Sequence, residues 1–122
     1  MRLLCLTKEP EFVRQVSTAF PEEIVETECQ ERPEGFLDSA KTGNWNFFLV
    51  DFDALQSDVN PLDLVKKLGL NTRLLVIGSS SFANWHHELQ RMGAMVLHKP
   101  ATVGEIGLAL RKLAAPRARG AR

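Results

Sequence analysis

The sequence has few of the features that mark nucleic-acid-binding, membrane or metal-cluster proteins. Its 122 residues carry 15 Lys+Arg and 15 Asp+Glu, so a net charge of zero gives no case for nucleic acid as a main partner. No apolar stretch approaches the roughly 18 residues that cross a bilayer, so we expect no membrane contact. The only two cysteines, Cys5 and Cys29, form no CxxC motif or Cys/His cluster that would indicate a metal site. The N-terminus starts in a strand-like run rather than a secretory leader, and we expect a cytoplasmic location.

What the chain does contain is a series of short apolar runs, each followed by a helical pattern. The predicted strands are Arg2–Leu6, Ile24–Thr27, the Phe47–Asp53 stretch with its strand end at Asp51, Leu74–Ile77 and Met95–His98. The predicted helices are Pro10–Phe20, Glu34–Ala40, Pro61–Leu68, Phe82–Met92 and Val103–Leu113. Strands that alternate with helices in a chain of this size predict an α/β fold with a parallel sheet covered on both faces. We therefore expect a flavodoxin-like (βα)5 three-layer sandwich with the five strands in the order 2-1-3-4-5.

Two helix starts carry recognisable capping residues. Asn60 precedes Pro61 and has an acid in the following turn, which is typical of a helix N-terminus. Thr102 and Glu105 have the spacing of a capping box at the start of the last helix.

The central run, Phe47–Asp53, is apolar on both faces and reaches a carboxylate at Asp51. In sheets covered by helices on both sides, ligand-binding and catalytic groups collect just beyond the carboxyl ends of the strands. Asp51 therefore marks the place where we expect the functional site.

Three landmarks at predicted strand ends resemble response-regulator receiver domains, the CheY-like family of two-component signalling. Asp51 matches the family's phosphate-accepting aspartate, Gly78–Ser79 falls where the family keeps a Thr or Ser, and Lys99–Pro100 matches its Lys-Pro with a cis bond. The resemblance covers residues 1–113. It implies a receiver module whose protein partner is a histidine kinase, an output domain or another signalling protein.

The sequence departs from the family where receivers hold Mg²⁺. The two adjacent acids that follow the first strand in typical receivers are replaced by Thr7 and Lys8, and only Glu9 keeps an acid. Because Mg²⁺ needs carboxylate oxygens, we expect no bound metal or other cofactor. Since phosphoryl transfer depends on such a cation, we also expect fast phosphorylation at Asp51 to be lost. Val96 also replaces the family's aromatic switch residue. The resemblance is therefore to a degenerate receiver, or pseudo-receiver, which is not an enzyme and acts by binding protein.

A buried carboxylate at Asp51 must find a cation or hydrogen-bond donors. Lys8 and Lys99 are the expected partners, and we hypothesise that one or both ammonium groups occupy the place of Mg²⁺ and lock the pocket. Asp53 is predicted to be solvated and to face the loop. The predicted pocket around Asp51 consists of Thr7, Lys8, Glu9, Asp53, Gly78, Ser79, Lys99 and Pro100.

Two alternative functions use the same residues. The first is a working receiver that accepts phosphate at Asp51, with Glu9 and Asp53 holding a weak metal. The second is a small phosphatase, because Asp51-Phe-Asp53 resembles the first motif of haloacid-dehalogenase-type enzymes, with Ser79 and Lys99 matching later landmarks. That motif normally sits on the first strand, and the acids those enzymes use for Mg²⁺ are missing after Lys99, which counts against the phosphatase.

The remaining expectations concern surfaces. His86 and His87 are predicted to lie on a solvated face of the fourth helix, with His98 at the pocket rim. The face formed by the fourth helix, the fifth strand and the fifth helix is where such receivers usually dimerise, so a homodimer is possible there. The basic tail, residues 114–122, is predicted to be a linker or a solvated end rather than a nucleic-acid-binding arm.

Overall fold

The computed structural model describes residues 2–9, 11, 14, 18, 26–55, 60–68, 73–79 and 85–114. Within these ranges the strands are β1 (Arg2–Leu6), β2 (Glu26–Gln30), β3 (Phe47–Asp51), β4 (Leu74–Gly78) and β5 (Met95–His98). The helices with defined bounds are α1 (Pro33–Thr42), α2 (Pro61–Leu68), α3 (His86–Arg91) and α4 (Val103–Ala114), and a 3-10 turn spans Phe52–Ala54. No helix in this part of the chain is long and apolar enough to cross a membrane.

Some predicted segments lie partly outside the described residues. Of the first predicted helix, Glu11, Arg14 and Thr18 are described, and all three are helical. The predicted start of the fourth helix at Phe82 and the basic tail beyond residue 114 are not among the described residues.

The five strands form one parallel sheet in the order β2-β1-β3-β4-β5, which confirms the predicted fold. Strand β3 lies in the centre, with Phe47 opposite Leu3 of β1 and Phe48 opposite Leu74 of β4. Because all five strands run in the same direction, their carboxyl ends meet at one edge of the sheet. That edge carries the candidate site.

Alternate residues of each central strand face opposite layers of the core, as the two-residue period of a strand requires. In β1, Leu3 and Cys5 pack in the cluster that contains α4, whereas Leu4 and Leu6 pack in the cluster on the other face. The second cluster includes side chains of α1, α2 and α3, among them Phe36, Leu64, Val65 and Leu89. Both faces of the sheet are therefore covered, which explains why the central strands read as continuous apolar runs.

The edge strand β2 differs from its prediction. The sequence pattern placed a strand at Ile24–Thr27, whereas β2 spans Glu26–Gln30, and residues 24 and 25 lie outside the described part of the chain. The reason is the ladder with β1, which pairs Arg2 with Glu26 and continues in register to the pair Leu6 and Gln30. The length of this exposed, polar strand follows its partner rather than its own apolar residues.

The predicted capping residues are in place at both helix starts. The Asn60 side chain accepts a hydrogen bond from the Leu62 backbone N–H at 2.9 Å. At the start of α4, the Thr102 N–H donates to the Glu105 carboxylate at 2.9 Å, and the Glu105 N–H donates back to the Thr102 hydroxyl at 3.1 Å. This reciprocal pair is a capping box, and it fixes where the last helix begins.

Candidate functional site

The candidate site lies at the carboxyl edge of the sheet, around the last residue of β3. Asp51 is that residue, and it is only 1% exposed. Thr7 follows β1, Ser79 follows β4 and Lys99 follows β5, so four parallel strands each deliver one polar side chain to the same edge. The fold alone explains why residues so far apart in the sequence come together here.

Both carboxylate oxygens of Asp51 are engaged. The buried Thr7 hydroxyl donates to Oδ2 at 2.9 Å. Oδ1 accepts the backbone N–H of Asp53 at 3.0 Å and forms an ion pair with the Lys99 ammonium at 2.9 Å. A carboxylate buried this deeply needs such partners, because an unpaired buried charge is very costly.

The Lys99 ammonium lies between three carboxylates. Its Nζ atom is 2.9 Å from Asp51 Oδ1, 2.9 Å from Asp53 Oδ2 and 3.5 Å from Glu9 Oε1, and its side chain is 19% exposed. Burial by itself lowers the pKa of Lys99, but the contacts with Asp53 and Asp51 outweigh burial, so the pKa is raised above its usual value. Lys99 therefore stays protonated and acts as a fixed cation of the pocket.

Asp53, which was predicted to be solvated and to face the loop, is an exposed residue, but its carboxylate turns back to the cluster instead of pointing away from it. The 3-10 turn that follows β3 carries its carboxylate back toward β4, where Oδ1 accepts hydrogen bonds from the Ser79 hydroxyl at 2.9 Å and from the Ser79 N–H at 3.4 Å. Burial raises the pKa of the Asp53 carboxyl, but Lys99 and Ser79 together lower it further, so the net shift is downward. Its side chain keeps 34% exposure, so it forms the outer wall of the site.

Lys8 does not take part in the cluster. Its side chain is exposed, and none of the ion pairs between described residues involves it. Thr7, one residue earlier, is the side chain that turns inward to Asp51. Of the two ammonium groups in the hypothesis, the structure thus places only that of Lys99 beside Asp51.

Gly78 and Pro100 shape the site through the backbone. The Gly78 carbonyl accepts a hydrogen bond from the Lys99 N–H at 2.8 Å, which ties the end of β5 to the end of β4. The Lys99–Pro100 peptide is cis, as the resemblance implied, and Pro100 itself is exposed. Ser79, rather than Gly78, supplies the hydroxyl at this edge.

The carboxylates of this pocket are arranged around an ammonium group and not as a set of metal ligands. Among the described residues, no group of three or more His, Cys, Asp or Glu side chains is arranged to hold a metal ion. The carboxylates of Asp51, Asp53 and Glu9 all turn toward one ammonium instead. A hard dication with octahedral demands needs those oxygens for itself.

A histidine pair beside the site was not predicted from the sequence. His86 Nδ1 and His98 Nε2 are 2.9 Å apart, and the two rings are nearly parallel with centroids at 5.0 Å. His86 was expected to be solvated, but it joins the first turn of α3 to the end of β5. The two residues are twelve positions apart, and no pattern in the sequence pairs them.

The chain matches no family model and no curated protein. Its fold is similar to a CheY-like receiver domain protein from Methanospirillum hungatei, with 15% identity, a TM-score of 0.75 and 93% of each chain covered. It is also similar to a Francisella response regulator receiver domain, with 17% identity, a TM-score of 0.72, and 92% and 94% of the two chains covered. A third similar structure is NtrX from Brucella abortus in complex with ADP, with 17% identity and a TM-score of 0.74. The match covers 92% of this chain and 26% of the NtrX chain. At these identities the likeness shows the fold, which is that of response-regulator receiver domains.

Proposed function

We propose that this chain is a receiver-type signalling module that works by binding protein and not by accepting phosphate at Asp51. The observation that carries the proposal is the Lys99 ammonium, held 2.9 Å from both Asp51 and Asp53. We infer that this internal cation takes the place of the metal ion that a phosphoryl-accepting pocket would need.

The chemistry of phosphoryl transfer supports this proposal. Catalysis depends on cations that neutralise the equatorial oxygens of the transferred group, and on a nucleophile free to attack. In this pocket Asp51 has partners on both oxygens, namely Thr7 on one and Lys99 with the Asp53 N–H on the other. The pocket's cation is already paired, and among the described residues no group of three or more His, Cys, Asp or Glu side chains is arranged to hold a second one. We therefore expect Asp51 to react with phosphoryl donors slowly or not at all, and we expect no enzymatic turnover.

The proposed partner is a protein, such as a histidine kinase, an output domain or another signalling protein. The fold supports this, because receiver domains are its solved neighbours, and the chain matches about a quarter of the longer NtrX chain. We place the docking surface, for a partner or for a second copy, on the face formed by α3, β5 and α4. Leu108 of α4 is a large apolar side chain that stays 56% exposed. Partner binding would cover it.

Intact-mass measurement after incubation with acetyl phosphate and Mg²⁺ tests the proposal. We expect the mass of the wild-type chain to stay unchanged, like that of the Asp51→Asn control. A phosphoryl group that adds to the wild type and not to Asp51→Asn would instead support a working phospho-accepting receiver. Catalytic consumption of acetyl phosphate that Asp51→Asn abolishes would support the phosphatase alternative.

A further inference from the structure

We propose that Asp53 is a built-in anion, which occupies the groups of this pocket that would otherwise bind a phosphate-type oxyanion. We call these groups the anion subsite: the Lys99 ammonium, the Ser79 hydroxyl and the Ser79 backbone N–H. The inference deepens the proposed function and rests on it, because it explains what keeps the pocket closed to phosphoryl groups.

The contacts of Asp53 cover the whole subsite. One carboxylate oxygen, Oδ2, lies 2.9 Å from Lys99 Nζ, and the other, Oδ1, accepts from the Ser79 hydroxyl at 2.9 Å and from its N–H at 3.4 Å. A cation with a hydroxyl and an amide N–H on the opposite side is a set of donors that suits an oxyanion with several oxygens. The Asp53 carboxylate therefore pairs with the Lys99 cation through one oxygen and accepts from both Ser79 donors through the other, so an incoming anion must displace it.

Asp53 has two advantages over a free anion for this subsite. It is part of the chain, so it pays none of the translational and rotational entropy that a free ligand loses on binding. Its backbone is also fixed, because the Asp53 N–H donates to Asp51 Oδ1 and begins the 3-10 turn at Phe52–Ala54. The turn that binds Asp51 thus also aims the Asp53 carboxylate at Lys99 and Ser79.

The regulatory consequence is that the pocket keeps its anion-filled arrangement without a phosphoryl donor. Ser79 is held at the end of β4 and Lys99 at the end of β5 by the same carboxylate. Asp53 therefore bridges the two strand ends, and a phosphorylation signal at Asp51 would have to displace it from these donors.

The experiment compares variants in an Asp51→Asn background, which removes the neighbouring negative charge in every sample. Inorganic phosphate is titrated into ¹⁵N-labelled protein at constant ionic strength, and the Ser79 and Lys99 amide signals are followed by NMR. We expect Asp51→Asn/Asp53→Ala to bind phosphate roughly ten- to hundredfold more tightly than Asp51→Asn alone, since charge-assisted donors are freed. The same spectra show that each variant is folded.

A second double variant tests whether a gain in phosphate affinity comes from the emptied anion subsite or only from the loss of a negative charge. Asp51→Asn/Glu9→Gln has the same net charge as Asp51→Asn/Asp53→Ala, but it leaves Asp53 on the anion subsite. Glu9 is 59% exposed and 3.5 Å from Lys99, so its removal disturbs the cluster little. We expect this control to bind phosphate no better than Asp51→Asn, and adding Lys99→Ala to the Asp53 double variant should abolish the gain.

Equal phosphate affinity in the two double variants, or no gain from Asp53→Ala, would overturn the inference. If Asp51→Asn/Asp53→Ala does not fold, the single variants Asp53→Ala and Glu9→Gln carry the same comparison. The outcome is distinct from that of the proposed function. A wild type that accepts a phosphoryl group from acetyl phosphate contradicts the proposed function. If the wild type is unreactive and Asp53→Ala does not increase the affinity for phosphate, only this inference is contradicted.

Discussion

At the scale of single residues, the Lys99 ammonium is the group on which the buried Asp51 carboxylate depends. Replacing Lys99 by Ala leaves that carboxylate without its cation, and breaking a buried ion pair in this way costs about 3–5 kcal/mol. We expect the midpoint of urea-induced unfolding to fall accordingly. Lys8→Ala is the matched control, because Lys8 is exposed, and its change should lie within about 0.5 kcal/mol of the wild type. Equal losses for the two variants would show that the ion pair contributes nothing.

Part of this residue-level picture could be predicted from the sequence. Asp51 and Lys99 each end a short apolar run, and parallel strands place such ends at one edge, so their proximity follows from the pattern. The inward turn of Thr7 rather than Lys8, and the return of Asp53 toward Ser79, could not be predicted. Both depend on the backbone path in the few residues after a strand, where no hydrophobic period operates.

At the scale of elements, the end of α1 is fixed by the contact between Gly43 and the Trp45 side chain. The Trp45 indole N–H donates to the Ser39 carbonyl at 2.8 Å, and the Arg2 guanidinium lies 4.3 Å above the ring. A Cβ atom on Gly43 would meet the indole, with Trp45 Cε2 at 2.8 Å. The indole can only stay in place if residue 43 has no side chain.

Gly43→Ala should therefore destabilise the fold by about 1–3 kcal/mol, as overpacking does, and shift the tryptophan emission. The Gly43 φ of −108° suits alanine, so the effect isolates the steric contact. Gly104→Ala in α4 is the control: its Cβ would meet only Thr102 Oγ1 at 3.8 Å, and helix propensity should make it stabilising by about 0.5–1 kcal/mol. A Gly43→Ala variant as stable as the wild type would contradict this interpretation.

The elements themselves were predictable in proportion to their burial. Strand β3 is a continuous apolar run because both of its faces are buried, helix α4 has a strong apolar period because one face packs on the core, and both were predicted to within a few residues. The polar edge strand β2 continues to Gln30, beyond its predicted end at Thr27, because its bounds come from pairing with β1. The contact between Gly43 and Trp45 has no signature in the sequence beyond an ordinary helix-ending glycine.

At the scale of the whole molecule, the pH dependence of stability should show the Asp53 contacts. The pKa of Asp53 is lowered in the folded chain, so its contribution is present above the unfolded value of about 3.9 and is lost as the pH falls through the folded value. We expect the Tm difference between wild type and Asp53→Asn to be largest near neutral pH and to vanish on acidification. The effect should be about 1 kcal/mol or less, because Asp53 is partly exposed.

On the alkaline side, where Lys99 loses its proton, the dependence of stability on pH has the opposite sign. The pKa of Lys99 is raised, so its contribution is complete below the unfolded value of about 10.4 and is lost only as the pH rises through the folded value.

The control for Asp53→Asn is Asp38→Asn. Asp38 is an exposed acid on α1, so this change removes the same charge outside the cluster and should show no Tm difference that depends on acid pH. A Tm difference for Asp53→Asn that stays constant from neutral to acid pH would contradict the assignment.

The cluster at the carboxyl edge is not electrically balanced, because three carboxylates face one ammonium. Small phosphoryl donors are themselves anions, so this surplus repels them before any bond can form. Dissolved ions screen such repulsion over a Debye length of about 8 Å at physiological salt. Any residual reaction of Asp51 with an anionic donor should therefore become faster, not slower, as ionic strength rises.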